Sequence, residues 1–299
     1  MIRPPALRKG DKIALVSPAR SITFGEVHPA IRFFAKHDLE VVLGHNVFAT
    51  HRQFAGTDEQ RLRDLQQALD DDSIRAVVCT RGGYGTLRIV DRVDFTAFCR
   101  NPKWVAGYSD VTVLHAHIQQ CHGIETIHSA MPVGMTGEYR EESFQTLISA
   151  LFGKRIAYTL PAHPLSRPGT AEGELTGGNL SILYSLAGSV SMPATAGKIL
   201  FLEDVDEYLY HIDRMITALK RTGALAGLAG LIVGGMTRMN DNTVPFGMSA
   251  EEIIADAVKE YGYPVCFGFP AGHMEPNLAL ILGRKARFSV GAQAELSFF

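Results

Sequence analysis

Short apolar runs alternate with helical periodicity through the first half of the chain. Residues 13–16, 39–43, 74–80, 104–108 and 124–128 are rich in β-branched side chains, end in turn signals, and predict buried strands. Between them, residues 26–37, 57–70, 86–90 and 111–122 carry the spacing of amphipathic helices. That alternation predicts βαβ units and a parallel sheet covered by helices on both faces. A further helix is expected near 141–152, after which Pro161, Pro164 and Pro168 mark a connection over 158–173. The pattern then resumes: helix 180–186, strand 198–203, helix 208–222, strand 228–234 and helix 250–261. Short strands at 265–267, 278–282, 286–290 and 295–298 finish the chain. Two α/β domains are therefore expected, 1–157 and 174–299, joined by a linker at 158–173. Sites in such sheets form in loops beyond the carboxyl ends of the strands.

Composition narrows the partners. The 299 residues are 46% hydrophobic and 20% charged, which fits a folded protein and not a disordered one. Lys plus Arg number 29 against 31 Asp plus Glu, so no basic excess draws in nucleic acid or an anionic membrane. Apolar runs are too short to span a bilayer, and the N-terminal residues lack the apolar stretch of a secretory signal. Cys79, Cys99, Cys121 and Cys266 form no C-x-x-C pair, so free thiols and a cytoplasmic location are expected.

The densest chemical signal is Gly107-Tyr108-Ser109-Asp110, where a strand runs at once into a helix. A serine at such a turn projects its hydroxyl above the sheet, and the helix start offers N–H groups to an oxyanion. Val111 stands where a G-x-S-x-G elbow has its last glycine, so the match is partial. The competing reading is a helix cap at Ser109 or Asp110. Arg81-Gly82-Gly83-Tyr84-Gly85 follows another strand and reads either as a ligand loop or as a tight turn. It is not a dinucleotide fingerprint, because Arg88 replaces the third glycine.

A hydrolytic serine needs a base and a group to orient it. His273, in a loop after a strand, and Glu203, ending the strand 198–203, are candidates by position. Glu203 has a bland alternative as a cap or as an ion pair with Arg214. His115, His117, Cys121 and His122 look metal-like. On a helix, at about 100° per residue, only His115 and His122 share a face, and no metal site is expected. Leu209, Ile212, Met215, Ile216 and Leu219 form a stripe that reads as core or, less simply, as a dimer contact.

In this order the chain resembles the LD-carboxypeptidase family of serine peptidases, which includes the microcin C immunity peptidases. The resemblance is carried by Ala14-Leu15-Val16-Ser17-Pro18, Phe54-Ala55-Gly56-Thr57, Arg61-Leu62-Arg63-Asp64-Leu65, the 81–85 and 107–110 segments, Gly177-Gly178-Asn179-Leu180, Leu202-Glu203-Asp204 and Gly272-His273. It implies a flavodoxin- or Rossmann-like N-terminal domain, a smaller mixed α/β C-terminal domain, and a site between them. It also implies Ser109 as nucleophile, His273 as base and Glu203 as the group orienting it. The main-chain N–H groups of Gly83 and Asp110 become the oxyanion hole, and Arg81, Gly82, Tyr84 and Asn179 substrate contacts.

The implied reaction releases terminal D-alanine from a muropeptide tetrapeptide, without metal or cofactor, in a homodimer. Arg81 is the candidate for the substrate's terminal carboxylate. After His128 the chain reads Ser129-Ala130-Met131-Pro132, a departure from the family's usual Gly-Pro. The same scaffold also fits a peptidyl-nucleotide immunity peptidase, or a small-ligand-binding protein that uses Ser109 only as a cap.

Overall fold

The computed structural model describes residues 1–135 and 138–299, without the side chains of 138–140. Strands β1 (Lys12–Val16), β2 (Glu40–Leu43), β3 (Ile74–Cys79), β4 (Trp104–Gly107) and β5 (Thr126–His128) form a parallel sheet in the order 2-1-3-4-5. This is a doubly wound order, with a topological switch point between β1 and β3. Helices α1 (Phe24–Lys36) and α5 (Glu138–Leu151) pack on one face through Val27, Phe34, Phe144 and Leu147. On the other face lie α2 (Asp58–Asp70), α3 (Thr96–Arg100) and α4 (Thr112–His117), buried through Leu65, Phe98 and Leu114. Both α1 and α2 begin with capping boxes, Thr23 with Glu26 and Thr57 with Gln60, each worth about 1 kcal/mol.

The second sheet is mixed and has seven strands. β6 (Ala157–Pro161) lies at one edge, and β7 (Gly169–Asn179) and β8 (Ile199–Val205) near the middle. β9 (Gly230–Thr237) and β10 (Val265–Cys266) continue it in parallel. β12 (Lys285–Val290) and β13 (Gln293–Phe298) pair antiparallel on the far side of β7. Helices α6 (Leu180–Leu186), α7 (Leu209–Arg221) and α8 (Ala250–Ala257) cover one face through Leu183, Met215 and Ile254. The α7 stripe is thus core. An apolar cluster runs without a break from Phe34 and Trp104 under the first sheet to Phe201 and Phe288 under the second.

Three expectations need correction. Most of 158–173 is strand rather than linker: β6 pairs with β13, and β7 starts at Gly169, so the proline-rich connection narrows to 162–168. The four glycines of β7 disguise it as a loop. Two of them answer to close approach: a Cβ at Gly177 would lie 2.0 Å from the Phe201 carbonyl, and one at Gly178 would lie 2.6 Å from Thr112 Oγ1. Second, β11 (Leu280–Leu282) returns to the first sheet and pairs antiparallel with β5, Leu280 opposite His128. The expected helix at 86–90 is two short 3-10 turns.

Candidate active site

Ser109 follows β4 and begins a 3-10 turn, Ser109–Val111, that leads into α4. Its φ is +63°, a left-handed conformation that a non-glycine residue holds only under constraint from its surroundings. The constraints are visible. Gly107 precedes it at φ +155°, where a Cβ would strike Val111 and Cys79, and a Cβ at Gly82 would lie 2.8 Å from Ser109 Cβ. No side-chain hydrogen bond caps either the 3-10 turn or α4, so the capping alternative is not what this serine does. Asp110 turns inward instead, and its Oδ2 accepts from the Thr86 N–H at 2.8 Å. The glycine loop is thereby tied to the elbow.

A second tie comes from Arg61 on α2, which is fully buried. Its Nη1 donates to the carbonyls of Pro18 and Gly85 at 2.6 and 2.8 Å, and its Nη2 pairs with Asp58. Gly83, at φ +108°, has the aliphatic stem of Arg20 against it; a Cβ there would overlap Arg20 Cδ. These contacts fix the loops after β1, β3 and β4 side by side, at the switch-point end of the sheet.

The candidate acid and base, Glu203 and His273, come from the second sheet and the loop after it. Glu203, in β8, is completely buried, and its Oε2 accepts from His273 Nδ1 at 2.7 Å and from the His273 main-chain N–H at 3.1 Å. A carboxylate can only accept, so neutral His273 carries its proton on Nδ1 and leaves Nε2 as the basic atom. Gly272, at φ +102°, must be glycine, because a Cβ there would lie 2.6 Å from three atoms of Glu203. Thr237 Oγ1 donates to the His273 carbonyl at 2.8 Å, and the Tyr108 ring lies 4.8 Å from the imidazole. Since Tyr108 adjoins Ser109, that ring contact sets the imidazole beside the elbow. Arg214 is elsewhere, over the Tyr210 ring, and does not pair with Glu203.

Burial disfavours the imidazolium, but the charge and hydrogen bond of Glu203 outweigh it and hold His273 above its ordinary value. Burial likewise pushes Glu203 up, and the His273 charge and hydrogen bonds overcome it, so this carboxyl lies below its usual range. Next along β8, burial and the Glu203 charge push Asp204 up to about 7. Its carboxyl accepts from Asn179 Nδ2, the Ser181 N–H and the Val205 N–H, each at 2.9 Å. Asn179 in turn caps α6, and its own N–H donates to Thr112 Oγ1 at 3.0 Å, joining β7 to the helix behind Ser109.

One cleft of about 460 Å³ is lined by Ser109, Asp110, Gly82, Gly83, Arg81, Asn179, Asp204 and His273, with Glu203 buried behind His273. Tyr84 stands apart: it does not line the cleft, and its half-exposed ring packs 6.0 Å from Phe54. Arg81 does border it but leans on the Ser21 carbonyl and Glu26, 3.3 and 3.5 Å away. Sequence reasoning missed Arg20, Asp206, Glu207 and Arg238 on the cleft wall. The rule of looking beyond strand ends would have found Arg20 after β1 and Arg238 after β9. Arg238 adopts φ +53° and makes no ion pair among the described residues.

The metal-like histidines are engaged separately. His115 Nε2 lies 2.9 Å from the Gly107 carbonyl, His117 Nδ1 lies 2.9 Å from Ser191 Oγ, and His122 Nδ1 lies 3.4 Å from Cys99 Sγ. Among the described residues, no group of three or more His, Cys, Asp or Glu could hold a metal, and no helix is long and apolar enough to cross a membrane. All four cysteines are free thiols.

An α/β protein with a doubly wound N-terminal sheet, a mixed second sheet and a polar cleft between them is thus defined, and comparison with known proteins names its family. The LD-carboxypeptidase N-terminal domain matches residues 13–129, and the LD-carboxypeptidase C-terminal domain matches 172–288. A probable murein peptide carboxypeptidase of Bacillus subtilis is 37% identical over 295 residues, covering 95% of this chain and 90% of that protein. A murein tetrapeptide carboxypeptidase of Pseudomonas aeruginosa is 31% identical, covering 92% of each. The crystal structure of muramoyltetrapeptide carboxypeptidase from Oxalobacter formigenes superimposes with a TM-score of 0.86 at 25% identity, covering 96% of this chain and 98% of that one. The chain belongs to the LD-carboxypeptidase family.

Proposed function

We propose that this chain is a serine LD-carboxypeptidase that removes the terminal D-alanine from muropeptide stem tetrapeptides. The observation that carries the reading is His273, bonded at 2.7 Å to the buried Glu203 and lining the same cleft as a serine held at φ +63°. In the reaction, Ser109 Oγ attacks the carbonyl before the terminal residue while His273 Nε2 takes its proton. The oxyanion then meets the main-chain N–H groups of Gly83 and Asp110. His273 returns the proton to the leaving amine, and water resolves the acyl-enzyme by the same route. The murein peptide substrates named for its relatives support the substrate class. A unit built on the first sheet that carries the nucleophile, one built on the second that carries acid and base, a cytoplasmic setting and a homodimer belong to the same proposal and rest on the family resemblance.

The decisive assay incubates the purified protein with a tetrapeptide ending in D-alanine and follows tripeptide and free D-alanine by mass spectrometry. Turnover is expected. Its absence, alongside hydrolysis of an aminoacyl-sulfamoyl nucleotide, would move the chain to the immunity-peptidase reading.

Two predictions follow from the cleft. Only neutral His273 accepts the serine proton, and its charged form persists above the ordinary value near 6.5. The acid limb of kcat/KM is therefore expected to have its midpoint above 6.5 and to fall as pH is lowered through it. A midpoint below 6.5 would remove His273 as the base. The second concerns the substrate's terminal carboxylate, which stays within two bonds of the leaving nitrogen and so close to His273. Arg238 follows Thr237, the residue bonded to the His273 carbonyl, and its charge acts on His273. Arg238→Ala is expected to raise KM about tenfold with kcat little changed, the effect of one charge-assisted hydrogen bond. Substrate amidated at its C-terminus should not distinguish variant from parent.

A further inference from the structure

Glu203 uses only one of its oxygens on His273. Its Oε1 is buried and has no hydrogen-bond partner among the described residues. Two other buried side chains adjoin it with polar atoms outside any well-formed hydrogen bond, the ring nitrogens of His128 and Nδ2 of Asn277, and these two face each other. The three belong to one place. His128 ends β5 opposite Gly107, and its ring meets Phe201, two residues before Glu203 on β8, with centroids 4.9 Å apart. It also lies 5.8 Å from the Tyr108 ring, the ring that also touches His273. Asn277 Oδ1 accepts at 2.8 Å from Gly272 N, the residue whose missing Cβ makes room for Glu203.

Each unpartnered buried polar group costs about 1–3 kcal/mol, so a fold carries three of them together only where they serve one another or a task. Here they are complementary, one carboxylate oxygen with acceptor character only and two groups able to donate. We propose that His128 and Asn277, which engage each other beside Glu203, are positioning residues whose N–H groups are available to Glu203 Oε1, extending the Ser109–His273–Glu203 line backward into the core. The inference rests on the triad reading above.

The groups facing His128 are Glu203, His273, Asn277, Tyr108 and His115, and Glu203 is the one anion among them. Burial pushes His128 down to about 4, so at neutral pH it is an uncharged imidazole with a single N–H to give. Its contribution is to keep a fully buried carboxylate ionised and in plane, so that Oε2 stays on His273. The departure from Gly-Pro at Ser129-Ala130 leaves this function intact, because the His128 position is set by β-pairing to Gly107 and Leu280.

The test is His128→Phe beside His128→Asn, with the His273 ring titrated by 15N NMR and tetrapeptide kinetics run in parallel. In H128F the Glu203 charge loses support, so the His273 midpoint should fall by about 0.5 pH unit or more. Plateau kcat should drop about tenfold, a fraction of what a general base supplies, with KM within twofold. H128N keeps a donor and should restore midpoint and kcat toward the parent. A folded H128F with an unmoved His273 midpoint overturns the proposal, as does an H128N variant that behaves like H128F. Should H128F not fold, the His128 ring signals of the parent are compared with those of Glu203→Gln; unchanged signals also overturn it. Because the NMR readouts need no substrate, failure of the tetrapeptide assay alone counts against the proposed reaction and not against this arrangement.

Discussion

Ser109→Ala is expected to lose on the order of 10⁶-fold in kcat, the whole benefit of covalent catalysis, because triad members act as a unit. The loss should come without unfolding. The side chain caps no helix, and alanine keeps the Cβ that packs against Gly82. A companion variant separates chemistry from structure. Ser109→Gly removes the same hydroxyl but relieves the left-handed strain at φ +63°, so it should be inactive and more stable than the parent by about 1 kcal/mol. Tetrapeptide turnover and thermal unfolding on the three proteins check both statements. An active S109A, or an S109G no more stable than S109A, would mean that this turn is not a strained nucleophile elbow.

That strain was not legible in the sequence, although the residue was. Gly107, Ser109 and the helix after them stood out because a strand ran straight into helical periodicity, and the first sheet could be read for the same reason. Five of its strands are short β-branched runs separated by amphipathic helices. Its sixth, β11, was hidden, since a three-residue apolar run carries no sign of which sheet it joins.

The larger failure was β7, where glycines required by the Phe201 carbonyl and Thr112 mimic a loop. Long-range packing dictated those residues, and local pattern cannot reveal it. In the cleft, Glu203 and His273 were found by position at strand ends. Their bond depends on Gly272 making room, a fact that needs three dimensions. Tyr84 was drawn in by its neighbours in Arg81-Gly82-Gly83-Tyr84-Gly85, yet its side chain turns to Phe54. Arg61 shows the opposite case, a helix residue far from the cleft that holds two of its loops by their carbonyls.

Glu203→Gln is the second large effect, and its direction can be derived from the same contacts. The amide is nearly isosteric, so Gly272 still accommodates it, and one oxygen can still accept from the His273 main-chain N–H. The side chain now has a donor where the parent had only acceptors. Both His273 donors meet the single oxygen Oε2, so with the amide oxygen there the NH₂ takes the Oε1 position. With the amide reversed, the NH₂ opposes the main-chain N–H and holds the proton on Nε2, the wrong atom for a base. An uncharged partner also gives the imidazolium formed during attack nothing to offset burial. A loss of about 10³–10⁴-fold in kcat is expected, with KM little altered.

The pH profile should move as well. With the Glu203 charge gone, burial and the Arg238 charge both lower His273, and only Asp204 opposes them. The acid limb is therefore expected to shift from above 6.5 in the parent to below it in the variant. For stability the sign is equally fixed: a raised histidine stabilises the fold below its unfolded value and loses that contribution as pH rises through the folded one. The parent should therefore gain stability over E203Q as pH is lowered toward 6, measured by denaturant midpoints across that window. An acid limb that stays in place in E203Q would show that Glu203 does not set the charge of the base, whatever the loss in kcat.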